Sequence, residues 1–253
     1  MKKLESEEDA FGHALLAVHK GEEVHEIVER NDGFVDSMST KGYFSDYEAW
    51  SPIEQKAMQL VKGRVLDIGC GAGRTSLYLQ EKGFYVLGID ISPLAKVCKL
   101  RGLRSSKLMP IETIDFKPNS FDTILMMGNN FGLFGNLKKA KRLLKSFHRM
   151  TSKDALIIAS SRDPYKTDNP AHLQYHKMNK RKGRMSGQVK IRIRYEKYKG
   201  RWFDYLMVSR EEMSQILSDT GWRIKEFLDT AGPYYIAIVQ KSLNGFEPSD
   251  LFI

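Results

Sequence analysis

Three glycines at alternate positions, set straight after a short apolar run, constrain this chain more than any other stretch of it. Val65-Leu66-Asp67-Ile68 has the make-up of a parallel strand buried on both faces, with one acid near its end. Gly69, Gly71 and Gly73 break the run, and Thr75-Ser76-Leu77-Tyr78-Leu79 resumes with leucine and tyrosine at helical spacing. The stretch predicts strand, tight turn, helix. Glycine lets such a turn enter backbone conformations closed to other residues, and leaves room for a ligand against the main chain.

A second unit of the same kind follows. Phe84-Tyr85-Val86-Leu87-Gly88-Ile89-Asp90 reads as a buried strand ending in a carboxylate, placed about 20 residues on, where nucleotide-binding sheets hold a ribose diol. Ser92 is a predicted cap and Pro93 a good first helical residue. The usual dinucleotide fingerprint needs a glycine five positions after the first, and Arg74 stands there. A nicotinamide-dependent reductase is disfavoured on that ground.

Asp67–Gly73, read Asp-Ile-Gly-Cys-Gly-Ala-Gly, together with Asp90 resembles the class I S-adenosylmethionine-dependent methyltransferases, over roughly residues 55 to 241. The resemblance implies a three-layer, Rossmann-like α/β fold. Its seven-stranded, mostly parallel sheet has the order 3-2-1-4-5-7-6, with the last strand antiparallel. It also implies S-adenosylmethionine as cofactor and S-adenosylhomocysteine as product. That cofactor carries no phosphate, and the sequence has no phosphate-cradling loop with its lysine. Its sulfonium and amine are cationic and favour a carboxylate such as Asp67. By resemblance, Gly69, Cys70, Gly71 and Gly73 form the cofactor turn and Asp90 takes the ribose. Ile91 and Ile111 flank the adenine, and Glu112 stands where the family usually has an aspartate for the exocyclic amine.

The fourth predicted strand, Thr123–Met127, ends in Gly128-Asn129-Asn130-Phe131. In this fold the first and fourth strands flank the point where strand order reverses, so Asn129 and Asn130 are expected beside the transferable methyl. Asn129 is also a candidate to hold the methionine amine. Two amides can position a substrate but are poor bases. Enzymes of this class that methylate DNA bases carry two prolines here, and this chain has none, which argues against that substrate. The fifth strand, Ala155–Ser160, leads to Asp163, but no second acid stands near the fourth strand, so no metal site is expected.

The flanking segments are less regular. Residues 1–54 are expected to be a helical extension or lid, broken at Gly21 and at Asn31-Asp32-Gly33, with Tyr43, Tyr47 or Trp50 facing the site or packing on the core. The methyltransferase domain is assigned to residues 55–242, with an insert at 166–207, and 243–253 to a C-terminal tail. In the insert, His172 and His176 are four apart and are candidate bases, followed by a basic polar loop, Lys177–Arg184. Val189–Glu196 alternates strictly and Trp202–Val208 is its predicted return, making a β-hairpin over the substrate entrance. Trp222–Leu228 and Tyr234–Val239, joined by a short turn, form the final antiparallel pair.

The 253 residues carry a formal net charge of +9, which invites a nucleic-acid reading. Much of the excess lies at 138–149, the polar face of an amphipathic helix, and at 177–201 in the insert. Two cysteines make no disulfide framework, the N-terminus is too acidic for a signal peptide, and no run of ~18 apolar residues could span a membrane. A cytoplasmic location is expected.

The expected activity is in-line displacement of the sulfonium methyl by an oxygen, nitrogen or carbon of a small-molecule acceptor, anionic if the basic insert recognises it. Alternatives are an RNA methyltransferase that uses 177–201, and a non-catalytic S-adenosylmethionine-binding protein. Oligomeric state is not legible.

Overall fold

The computed structural model describes residues 4–242; the tail assigned to 243–253 lies outside the described residues. The chain opens with α1 (Ala10–His19), β1 (His25–Arg30), β2 (Val35–Ser39) and α2 (Pro52–Gln59), and then enters the motif region. There β3 (Val65–Ile68) is followed by α3 (Arg74–Glu81), and β4 (Val86–Asp90) by the short α4 (Val97–Leu100) and β5 (Ser106–Leu108). Next come β6 (Phe121–Met126), α5 (Leu137–Met150) and β7 (Thr151–Arg162). The insert holds α6 (Pro170–Arg181), β8 (Gln188–Tyr195), β9 (Tyr198–Lys199) and β10 (Phe203–Leu206). The chain closes with α7 (Arg210–Leu217), β11 (Trp222–Asp229) and β12 (Tyr234–Lys241).

The large sheet runs β11-β12-β7-β6-β3-β4-β5, which is the expected order of seven strands. Pairs within β5-β4-β3-β6-β7 are parallel, and β12 is antiparallel to both β7 and β11. Its strands are apolar on both faces because both are covered. Leu66, Ile68, Ile124 and Met126 pack on the side of α5 and α7, with Leu143, Phe147, Met213 and Ile216. Val65 and Leu125 face the other way, among Ala57 and Met58 of α2 and Leu79 of α3. A period of two thus sends Leu66 and Ile68 to one layer, and Val65 and Asp67 to the other.

The extension is not simply helical. Val24–Glu29, expected as a short amphipathic helical segment, contains β1, which pairs antiparallel with β2. On its other edge β1 pairs with β8 of the insert, Val28 opposite Ile193 and Arg30 opposite Ile191. The insert contains the expected antiparallel pair, β8 with β10. It does not hang free, for β10-β8-β1-β2 is one continuous small sheet. The basic stretch expected as a loop is helical as far as Arg181. Asn169 caps α6 with its side chain and Pro170 takes the first helical position.

This small sheet has an inner and an outer face. On the outer face Glu29 takes Arg192 bidentately, at 3.0 and 2.8 Å, and also Arg194. The inner face packs on α1, where Tyr195 lies against the cluster of Ala14, Ala17 and Val24. Two segments some 160 residues apart in the chain therefore cap the carboxyl edge of the large sheet together.

Candidate active-site crevice

The glycine turn is built as the spacing predicts. Gly69, Gly71 and Gly73 all have positive φ, at +74, +50 and +83°, values that cost L side chains dearly. At Gly69 there is a second reason for glycine: a Cβ would lie 2.5 Å from Nδ2 of Asn130. That amide donates to the carbonyls of Ile68 and Gly69, at 2.9 and 3.0 Å. Asn130 is thus a clamp on the turn, which accounts for its side chain without a catalytic role.

The two acids that end β3 and β4 are differently employed. Asp67 is buried on the α3 side and its Oδ2 accepts from Thr75 Oγ1 at 2.8 Å and Ser76 Oγ at 2.6 Å. It pins the first turn of α3, and burial raises its carboxyl above the usual range, against the pull of the two hydroxyls. Asp90 stands across the crevice floor. Its Oδ2 accepts from Gly71 N and its Oδ1 from Ser92 N, both at 2.9 Å. Burial pushes this carboxyl up to about 6, opposed by the Ser92 and Gly71 amides and reinforced by the charge of Asp9.

The side chains of the other turn residues are engaged within the protein. The Cys70 side chain enters a buried cluster with Cys98 and Leu103, so only its backbone can meet a cofactor. Arg74 lies 4.5 Å over the Trp50 ring and pairs with Glu54; it ties α3 to α2. Ile111 is buried in the main core. Glu112 is ion-paired to Lys139. Burial would raise its carboxyl, but the Lys139 ammonium outweighs it and the net shift is downward. Ile91 is half-buried in the loop directly after Asp90.

Asn129 sits at the end of β6 in the left-handed region, φ +69°, which asparagine tolerates better than most residues. Its N–H donates to Ser160 Oγ at 2.7 Å, and its carbonyl accepts from Tyr205 Oη at 2.6 Å. Its side-chain Oδ1 is buried with no partner. Tyr205 comes from β10 and lies across the 130–134 turn, where a Cβ on Gly132 would come within 2.3 Å of its ring.

α1 covers the crevice from the other side. Asp9 caps that helix through Gly12 N, at 3.0 Å, and its second oxygen accepts from Ser92 Oγ and Leu94 N, at 2.7 and 2.9 Å. Phe11 is held so close above the turn that a Cβ on Gly71 would reach its ring at 3.6 Å. Phe11 in turn meets Tyr43 edge-on, and the Tyr43 hydroxyl donates to Glu26 Oε1 at 2.9 Å. Of the three aromatics singled out in the extension, Tyr43 faces inward. Tyr47 and Trp50 pack on Tyr78 of α3.

His172 and His176 both lie on α6, as their spacing allows. His172 bonds Thr167 Oγ1 at 3.1 Å and meets Phe34 edge-on; His176 meets Tyr165. Burial, reinforced by neighbouring positive groups, lowers both imidazoles below their ordinary value. No bond joins either of them to Asn129, Asp90 or the glycine turn.

Sequence reasoning missed Glu26, Tyr205, Ser160 and Asp9. Asp9 had a signal, an acid just before the apolar run of α1; Tyr205 had none, because a tyrosine in a predicted strand is ordinary.

The crevice fits the implied cofactor on its own chemistry. Two buried acceptors, Asn129 Oδ1 and Glu26 Oε2, lack donors, and Asp90 offers a carboxylate at the end of β4, beside the glycine turn. Of the guanidiniums at the turn among the described residues, that of Arg74 is spent on Glu54 and that of Arg101 donates to the carbonyl of Ala72 at 2.8 Å. The set suits a ligand that brings hydroxyl and ammonium donors and positive charge, rather than one that brings phosphates.

Residues 66–159 match the family model described as a methyltransferase domain. The chain is similar to a SAM-dependent methyltransferase of Bacteroides fragilis whose crystal structure holds S-adenosyl-L-homocysteine. That similarity is 26% identity and a TM-score of 0.82, covering 96% of this chain and 98% of that one. A ubiquinone biosynthesis O-methyltransferase of Xylella fastidiosa (strain 9a5c) is 39% identical over 79 residues, 28% of this chain and 32% of the relative. A tRNA (uracil(54)-C(5))-methyltransferase of Pyrococcus horikoshii is 28% identical over 120 residues, 45% of this chain and 29% of the relative. The chain spans about half, or less, of the length of the curated relatives it matches.

Proposed function

We propose, from the premise that this chain carries a class I methyltransferase domain, that it transfers the methyl of S-adenosylmethionine to a small-molecule acceptor. When bound, that cofactor supplies a methyl already activated by the sulfonium, so the protein's part is alignment and exclusion of water. Asp90 holds the ribose hydroxyls, the Gly69–Gly73 turn admits the cofactor against bare backbone, and Asn129 receives the amine. Ile91 and Ile111 border the adenine. Glu112 is spent on Lys139, so we give the exocyclic amine no partner there.

The observation that carries the small-molecule reading is the Tyr205–Asn129 bond. It seats the small sheet directly on the end of β6, beside the transfer point. An acceptor must fit between that cap and the turn, which favours a compact molecule over a polynucleotide. Three of the insert's twelve basic residues are also paired, Arg192 and Arg194 with Glu29 and Arg201 with Glu8.

An RNA acceptor is the second reading. It rests on Lys177, Lys180, Arg181, Lys182 and Arg184, which are exposed at the end of α6 and just beyond it. No helix among the described residues is long and apolar enough to cross a membrane, and we place the protein in the cytoplasm, where its two free cysteines stay reduced.

The test is release of S-adenosylhomocysteine from S-adenosylmethionine in the presence of small phenols and amines, and separately of total RNA. Turnover with a small molecule, unchanged when those five basic residues are replaced together, supports the reading. Turnover with RNA alone, falling steeply with salt, contradicts it.

A further inference from the structure

The small sheet carries a carboxylate that its own packing does not use. Glu26, on β1, is 2% exposed. One oxygen accepts from Tyr43; the other, Oε2, is buried with no partner. Folding a carboxylate into this position costs free energy that no ion pair returns. Glu29, three residues on, faces outward and takes two arginines.

The register says where Glu26 points. Side chains alternate along a strand, so Glu26, Val28 and Arg30 share one face of β1. Val28 opposes Ile193 of β8, and Val189, two steps of two further along that strand, opposes Tyr205 of β10. Glu26 and Tyr205 therefore project from the same face of the sheet. Tyr205 ends on the carbonyl of Asn129, beside the transfer point. Tyr43, the partner of Glu26, stands against Phe11 over the glycine turn. Glu26 is bracketed by the two walls of the crevice.

We propose that Glu26 is the proton acceptor of the transfer reaction, and that the acceptor molecule presents a hydroxyl or amine to its Oε2. This rests on the methyl-transfer reading above. The acceptor's oxygen or nitrogen attacks the methyl carbon, the carbon–sulfur bond breaks with its electron pair passing to sulfur, and the acceptor's proton passes to Glu26 Oε2. Products are the methylated acceptor, S-adenosylhomocysteine and protonated Glu26, which returns its proton to solvent. Tyr43 is a positioning residue: its hydroxyl fixes the carboxyl plane and leaves Oε2 free. Burial, only partly offset by Tyr43, pushes the Glu26 carboxyl up to about 7, the range in which a base both exists ionised and holds a proton well.

On the same face, Arg30 of β1 is paired with Asp32 and Tyr195 of β8 packs on α1, so the titratable groups that act on Glu26 most directly are the phenols of Tyr43 and Tyr205. Both phenols are pushed further up by burial and by the charge of Glu26, and stay protonated. Arg192 and Arg194 of β8 project to the opposite face with Glu29.

A test needs no knowledge of the acceptor. S-adenosylmethionine and S-adenosylhomocysteine share ribose, adenine and amino acid, and differ in the methyl and the positive sulfur. An opposite charge within ~4–6 Å favours an ionised carboxylate about tenfold or more. Calorimetric titration of the full chain with each ligand at pH 5.5 and 7.5 gives the ratio of the two affinities. Ionisation of Asp90 acts on both ligands alike and cancels. We expect the ratio to shift toward S-adenosylmethionine by about tenfold at the higher pH, and the shift to vanish in Glu26→Gln. An unchanged ratio in the wild-type protein, with both ligands binding, overturns the inference and leaves the methyl-transfer reading standing. Failure of either ligand to bind folded protein overturns that reading, and the inference with it.

Discussion

Asp67 and Asp90 look alike in the sequence, each an acid near the end of an apolar strand, yet they differ in what they leave for a ligand. Asp67 spends an oxygen on two hydroxyls of its own helix, whereas Asp90 bridges two backbone amides on either side of the crevice. Substitution should separate them. Asp90→Ala should weaken S-adenosylmethionine binding at least tenfold. Asp67→Ala should chiefly lower stability, by about 1–3 kcal/mol, because a buried site loses its acceptor. Thermal melts and calorimetry on both variants check this, and equal losses of affinity would contradict it. The motif showed where both carboxylates stand, because strand ends are fixed by apolar runs and glycines. It could not show how each is employed, since that depends on Thr75, Ser76 and Ser92, whose hydroxyls and amides have no pattern of their own.

At the scale of elements, the large sheet and the β8–β10 pair of the cap were legible, and the β1–β2 half of the cap was not. The strands of the large sheet are near-continuous apolar runs, and their order follows from the fold. In the sequence β1 reads as part of a helix for a definite reason. Val24, Ile27 and Val28 are spaced as on a helix face, and the residue that points inward from the strand is Glu26. A buried acid inverts the alternation that would otherwise announce a strand. The end of α6, from Lys177 on, reads as loop because the one residue it buries, Asn179, is polar. The cap's attachment is testable through Asp9, which joins α1 to the loop after β4 by two bonds. Asp9→Ala should loosen α1, seen as faster amide exchange over residues 10–19, and weaken cofactor binding several-fold while the large sheet keeps its protection. Unchanged exchange in α1 would show that its apolar contacts with Ala72 and Val97 suffice.

For the whole molecule, the buried acids set a pH dependence with a definite sign. Glu26 and Asp90 have folded-state values of about 7 and about 6, above 4.5 and 3.8 in the unfolded chain. Between those limits the native state holds protons that the unfolded state has lost, so stability falls as pH rises through that window. For Glu26 the loss is at most about 3 kcal/mol. His148, His172 and His176, lowered by burial, act in the opposite sense below their ordinary value of 6.5. The comparison with Glu26→Gln removes them. That variant should gain stability relative to wild type as pH rises from 5 to 7.5, measured by thermal melts without ligand. A constant difference across the range would mean that Glu26 is not held protonated.

The central claim is that the glycine turn and Asp90 form a site for S-adenosylmethionine and not for a nicotinamide dinucleotide. Calorimetric titration of the folded protein with S-adenosylmethionine and, separately, with NADH tests it most directly. Micromolar binding of the first and none of the second is the predicted result. Binding of NADH, or of neither, would contradict the claim.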